Sequence, residues 1–192
     1  CKKNLFDDIK CLYPKIKITD KILQERPDLK ELGGEELDVI AWLWARTVKS
    51  PNPAFADVDV PLVSSFMLAK KVGKEAYVEP VIKGDTYQFT VKVGKPIDLE
   101  VTKRGTKLAR SNFVCLMSGE PISGQYIMNE GKAGRIGTRL MAIVSKGKRG
   151  RVYLAPNAEH ELAALEAEPN WQPDVEFFQK ALGFRVGNYG MT

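Results

Sequence analysis

Residues 38–48 read DVIAWLWARTV, and both alternate faces of this segment are apolar. As a strand it sets Ile40, Trp42, Trp44, Arg46 and Val48 on one side, and Val39, Ala41, Leu43, Ala45 and Thr47 on the other. A strand with two apolar faces must be covered on both, and its Trp and β-branched content suits one. A short apolar run also fits a buried helix, so that alternative stays open.

The flanking segments narrow the fold. Leu5, Phe6, Ile9 and Leu12 recur at helical spacing and stop at Pro14. Thr19 is placed to cap a short helix through Leu23, broken before Pro27, and Gly33-Gly34 marks a turn. After a tight turn at Ser50-Pro51-Asn52-Pro53, residues 60–69, 75–82 and 87–93 read as an antiparallel meander, punctuated by Gly73 and Gly84-Asp85. Residues 104–110 form a basic loop or strand edge, and 113–116 a further strand. Apolar residues 140–144 and 152–154 flank a basic turn at 147–150. Asn157 is placed to cap a helix through Glu166, and Asp174 one that Gly183 stops. The order predicts an α+β fold, a β-rich antiparallel core with short flanking helices. We divide it into a helical segment 1–34, a β-rich domain 35–155 and a helical segment 156–192.

Composition sets outer limits. In 192 residues, 44% hydrophobic and 28% charged content argues against disorder. The apolar run 39–45 is far shorter than the roughly 20 residues of a membrane helix, so no membrane partner is expected. No basic-then-apolar leader is present, the chain starts at Cys1, and it ends at Asn188-Tyr189-Gly190-Met191-Thr192 without a recognisable cap. A piece of a longer cytoplasmic protein is therefore expected. Cys1, Cys11 and Cys115 form no CxxC pair, so a reducing compartment fits better than a disulfide framework.

Charge is uneven. Residues 101–151 hold eleven basic and two acidic side chains, a local +9 within a formal +5, leaving −4 for the remainder. A basic middle between acidic flanks suits a polyanion-facing surface, and equally a solvated face of scattered lysines. Free-standing catalysis finds little support. The single histidine, His160, stands between Glu159 and Glu161 on an expected surface helix, where a solvated role fits better than a catalytic base. The glycines at 131, 134 and 137 do not have dinucleotide-binding spacing and read as a turn, with phosphate contact through Lys132 and Arg135 as the alternative. In Ser50-Pro51-Asn52-Pro53 the third and fourth places lack the proline and aromatic of an amino-methyltransferase motif, so it is not catalytic.

Several segments together resemble a known family. Residues 39–48 with Pro51-Asn52-Pro53 and Pro61-Leu62-Val63, residues 130–137, 140–144 and 149–154, Leu12-Tyr13-Pro14-Lys15, and residues 188–192 resemble the middle of large adenine-specific DNA methylases that carry an N-terminal domain of unknown function and often sit beside phage-defence genes. The resemblance implies an insert between an upstream cofactor motif and a downstream catalytic motif, with neither in this chain. S-adenosylmethionine would serve the parent chain, and this piece would hold no cofactor and no catalytic residue. The resemblance also implies a zinc-ribbon-like core whose four ligand places fall on Ser50, Phe55, Cys115 and Ser118. With one thiol among them, no bound zinc is expected, and Phe55 is the expected plug. DNA and the rest of the methyltransferase chain are the implied partners. Lys103, Arg104, Lys107, Arg110, Lys132, Arg135, Arg139, Lys148, Arg149 and Arg151 are the candidate phosphate contacts. The competing reading is a structural or protein-interaction module without DNA binding.

Overall fold

The computed structural model describes residues 13–148 and 150–166. The expected helices at 2–12 and after Asp174, the segment 188–192, Cys1, Cys11 and Arg149 lie outside the described residues.

The fold is α+β, with antiparallel sheets and short helices at their flanks. Strands β1 (Ile16–Lys17) and β2 (Glu36–Leu37) pair around helix α1 (Asp20–Glu25) and a 3-10 turn at Pro27–Leu32. Strand β3 (Val39–Lys49) is followed by β4 (Asp59–Leu62), then by β5 (Met67–Ala69), β6 (Ala76–Lys83) and β7 (Thr86–Val93). Helix α2 (Leu99–Arg104), the short pair β8 (Phe113–Val114) and β9 (Pro121–Ile122), and helix α3 (Gly124–Lys132) lead to β10 (Gly137–Gly147), β11 (Gly150–Leu154) and helix α4 (Ala158–Leu165). The main sheet has the order β11-β10-β3-β4, and β5-β6-β7 form a second sheet.

The strand at 39–49 is central and covered on both faces, as its composition requires. Ala45 and Leu43 pack toward Val78, Tyr87 and Phe89 of the second sheet. Trp42 and Trp44 pack toward Ile16, Ile18, Leu29 and Leu32 of the N-terminal layer. Alternation along β7 buries Tyr87, Phe89 and Val91 and exposes Gln88 and Lys92, the period of a half-covered strand. Each such large apolar side chain contributes about 1.5–3 kcal/mol when fully buried.

Two irregularities depart from strict alternation. The β3–β10 register skips Ile40 between Val39 and Ala41, and skips Met141 between Leu140 and Ala142. An extra residue shifts every later side chain to the opposite face. Ile40 is therefore half-exposed rather than aligned with Trp42, and Val39 takes its place beside the tryptophans. Residues 60–69 also form two strands in different sheets, not one extended run. The chain crosses at 63–66 because Thr106 bonds the Val63 backbone and Phe66 N–H donates to Thr102 O.

Candidate nucleic-acid interface

Four of the candidate cations are carried by one turn, built from local rules. Asp98 Oδ1 accepts from Val101 N at 2.9 Å and caps α2. Glu100 stands in the first turn of this helix, and Lys103 and Arg104 in the last, the order that complements the helix dipole. Gly105 ends the helix at φ 62°, where a β-carbon would lie 2.4 Å from the Val63 carbonyl oxygen. Thr106 then fixes the chain to the end of β4. Its hydroxyl donates to Pro61 O at 2.9 Å and accepts from Val63 N at 2.9 Å.

Beyond Thr106 the backbone folds into a tight hairpin. Lys107 bridges to Phe113, Leu108 N donates to Asn112 O, and Asn112 N donates to Ala109 O. Arg110 sits at the tip with φ 54°, a left-handed conformation uncommon for a residue with a β-carbon. Asn112 Oδ1 accepts from Gly124 N at 2.9 Å, which ties the hairpin to α3. Lys103, Arg104, Lys107 and Arg110 are thus displayed on a braced turn. Arg104, Lys107 and Arg110 form no ion pair with another described residue. Lys103 has an exposed pairing with Glu100 at 3.4 Å, a contact that costs little to exchange.

The remaining candidates are dispersed or already engaged. Arg135 makes two hydrogen bonds to the carboxylate of Glu130, at 2.6 and 2.9 Å, and these hold that carboxyl below its ordinary value. Lys148 pairs with Glu35 at 2.5 Å. Arg139 lies over the Tyr87 ring, 4.7 Å from its centroid; burial pushes the Tyr87 phenol up to about 12 in spite of this neighbouring cation. Lys132 ends α3, about 12 Å from the Asn112 contact at the helix start. Arg151 lies on β11, the edge of the main sheet opposite β4 and about 14 Å away at ordinary strand spacing. Among the described candidates, Lys103, Arg104, Lys107 and Arg110 share this one turn, and the others stand on other elements or hold partners. Lys70 and Lys95, outside the basic window of the sequence, line a cleft together with Lys103.

Three of the four places carried over from the ribbon resemblance do meet. Ser50 Oγ and Cys115 Sγ lie 3.4 Å apart, both buried. Asn52 Nδ2 donates to Glu120 Oε2 at 2.8 Å and joins the two loops. Burial pushes the Cys115 thiol up, but hydrogen bonds with Ser118, Ser50 and the backbone at 117 and 118 outweigh it and leave the thiol below its ordinary value. Phe55 is elsewhere, half-exposed beside Asp57 and Arg139. The packing around Cys115 comes instead from Val48, Val60, Ile122, Met117, Tyr126, Ile127 and Ile136. One thiol and two hydroxyls do not fit zinc, which needs four good ligands. Among the described residues no group of three or more His, Cys, Asp or Glu side chains is placed to hold a metal ion. Protein purified without chelator should carry well under one zinc per chain, and chelator should leave its melting temperature unchanged. Elemental analysis giving stoichiometric zinc contradicts this.

His160 is the clearest correction. It is fully buried on α4, not solvated, and its Nδ1 accepts from Trp42 Nε1 at 3.1 Å. Asn157 caps that helix as expected, through His160 N at 2.9 Å. No helix of the described residues is long and apolar enough to cross a membrane. Compared with known proteins, the chain matches no family model, no curated protein and no solved structure.

Proposed function

We propose that this chain is a non-catalytic, DNA-contacting insert of an S-adenosylmethionine-dependent adenine-specific DNA methyltransferase, of the kind found in restriction-modification or phage defence in the cytoplasm. The observation that carries the DNA contact is the braced turn at 103–110, with three cations that no described carboxylate pairs. Phosphate contacts of this kind set position and orientation without reading sequence. Methyl transfer, its cofactor and base extrusion belong to other parts of the parent chain.

The two loops that meet at Ser50 and Cys115 support reading the core as a ribbon whose metal place is filled by packing. A large metal contribution to folding is then replaced by apolar burial spread over strands and α3.

The turn, not total charge, performs the binding. The triple variant R104A/K107A/R110A is expected to weaken duplex DNA binding about tenfold or more at low salt, while K132A/R151A stays within about threefold. Fluorescence anisotropy with a labelled duplex measures both. Equal losses in the two variants would mean diffuse charge, and no binding by the parent sequence would favour the protein-interaction reading. That second reading draws on Ile97, which is 97% exposed beside the same turn.

A further inference from the structure

The two arms of the basic hairpin, 104–106 and 114–116, form part of the wall of a cavity of about 490 Å³. This volume lies within the ordinary range for small-ligand sites, roughly 300–1,000 Å³. Phe66, Tyr77, Pro80, Ile97, Val101 and Leu116 give it a mainly apolar lining. Its polar groups are mostly committed. Glu79 faces Lys92 at 3.9 Å, Asp98 caps α2, and the hydroxyls of Thr102 and Thr106 donate to backbone carbonyls. Arg104 is the one cation of the lining, and it has no ion-pair partner among the described residues. Lys107 and Arg110 follow Arg104 along the hairpin.

An apolar chamber beside a line of cations complements a ligand with an apolar planar group on an anionic backbone. We infer that the cavity takes an unstacked base of single-stranded nucleic acid, with the adjoining phosphates along Arg104, Lys107 and Arg110. This rests on the phosphate-contact reading above and adds the base as a second point of recognition. Aromatic and apolar walls hold bases with little sequence preference, because every base presents a π-face. A duplex must first unpair to present one, so single strands bind more tightly than duplexes.

The test uses anisotropy with three labelled probes: a short oligothymidylate, an abasic sugar–phosphate strand of the same length, and a duplex. The oligothymidylate is expected to bind about tenfold or more tightly than the abasic strand. Val101→Trp fills the chamber from a position that is 44% exposed. It should reduce oligothymidylate affinity to the abasic level and leave abasic affinity unchanged, which also reports that the variant is folded. Equal affinity for the thymidine and abasic strands, or full thymidine binding by V101W, overturns the inference while the phosphate reading stands. Failure to bind any of the three probes overturns both.

Discussion

Replacing Gly105 by alanine is expected to destabilise the protein by about 3 kcal/mol or more, and to weaken DNA binding with it. Gly105 has φ 62° and ψ −135°, a region that side chains rarely enter. A β-carbon there would also lie 2.4 Å from Val63 O and 2.9 Å from Ser65 N. Both are backbone atoms of the crossing between the two sheets, so neither can swing aside. The Thr106 hydrogen bonds to Pro61 and Val63 would be displaced, and the cations at 103–110 with them. Gly34 is the internal control. It has φ 75° with nothing within 4 Å, so alanine there costs about 1 kcal/mol from backbone conformation alone. Urea unfolding followed by circular dichroism compares the two. Equal losses would mean that the turn is not packed against residues 63–65.

His160→Ala is expected to cost about 2–4 kcal/mol, the range for truncating a large buried side chain and leaving a donor without its acceptor. The His160 and Trp42 rings meet edge to face, with centroids 5.9 Å apart. Because Nδ1 accepts from Trp42, the proton of the neutral ring is on Nε2, which is buried with no hydrogen-bond partner among the described residues. Protonation would set an N–H at Nδ1 against the Trp42 N–H. Burial lowers the His160 pKa, and Glu159 only partly opposes it. The unfolded chain therefore takes up a proton near pH 6.5 that the folded chain resists. Stability from this group is complete above about pH 6.5 and is lost as pH falls below it, with a slope of at most about 1.4 kcal/mol per pH unit. His160→Phe removes the titration and keeps most of the volume. Its unfolding free energy should lack this component between about pH 7.5 and pH 5.5. An unchanged pH slope in that variant would assign the dependence to other groups.

Parts of this structure were legible from local pattern. The two apolar parities of residues 39–48 favoured a strand covered on both faces over a buried helix, and Asn157 marked the start of α4 by capping chemistry alone. What escaped the sequence depends on distant partners. His160 stands between two glutamates in the chain, and nothing local reveals Trp42, 118 positions away. Lys148 reads as free until Glu35 is brought to it across 113 positions. The bulge at Ile40 is set by the β10 register, and a single-residue slip inverts the face assignment of Val39. For the site, the run 103–110 was visible as charge. The place of Arg151 on the opposite edge strand was not, because that follows from strand order. Phe55 failed as a plug because the turn at Pro53–Phe55 directs it to the cleft of Asp57 and Arg139, leaving Cys115 to neighbours from β3, β4 and α3.

The salt dependence of duplex binding tests the central claim most directly. Three phosphate contacts from Arg104, Lys107 and Arg110 predict that log affinity falls against log salt with a slope of about −2.7, a loss of roughly 40-fold between about 50 and 200 mM. A slope near zero, with binding retained at the higher salt, would contradict a phosphate grip by this turn.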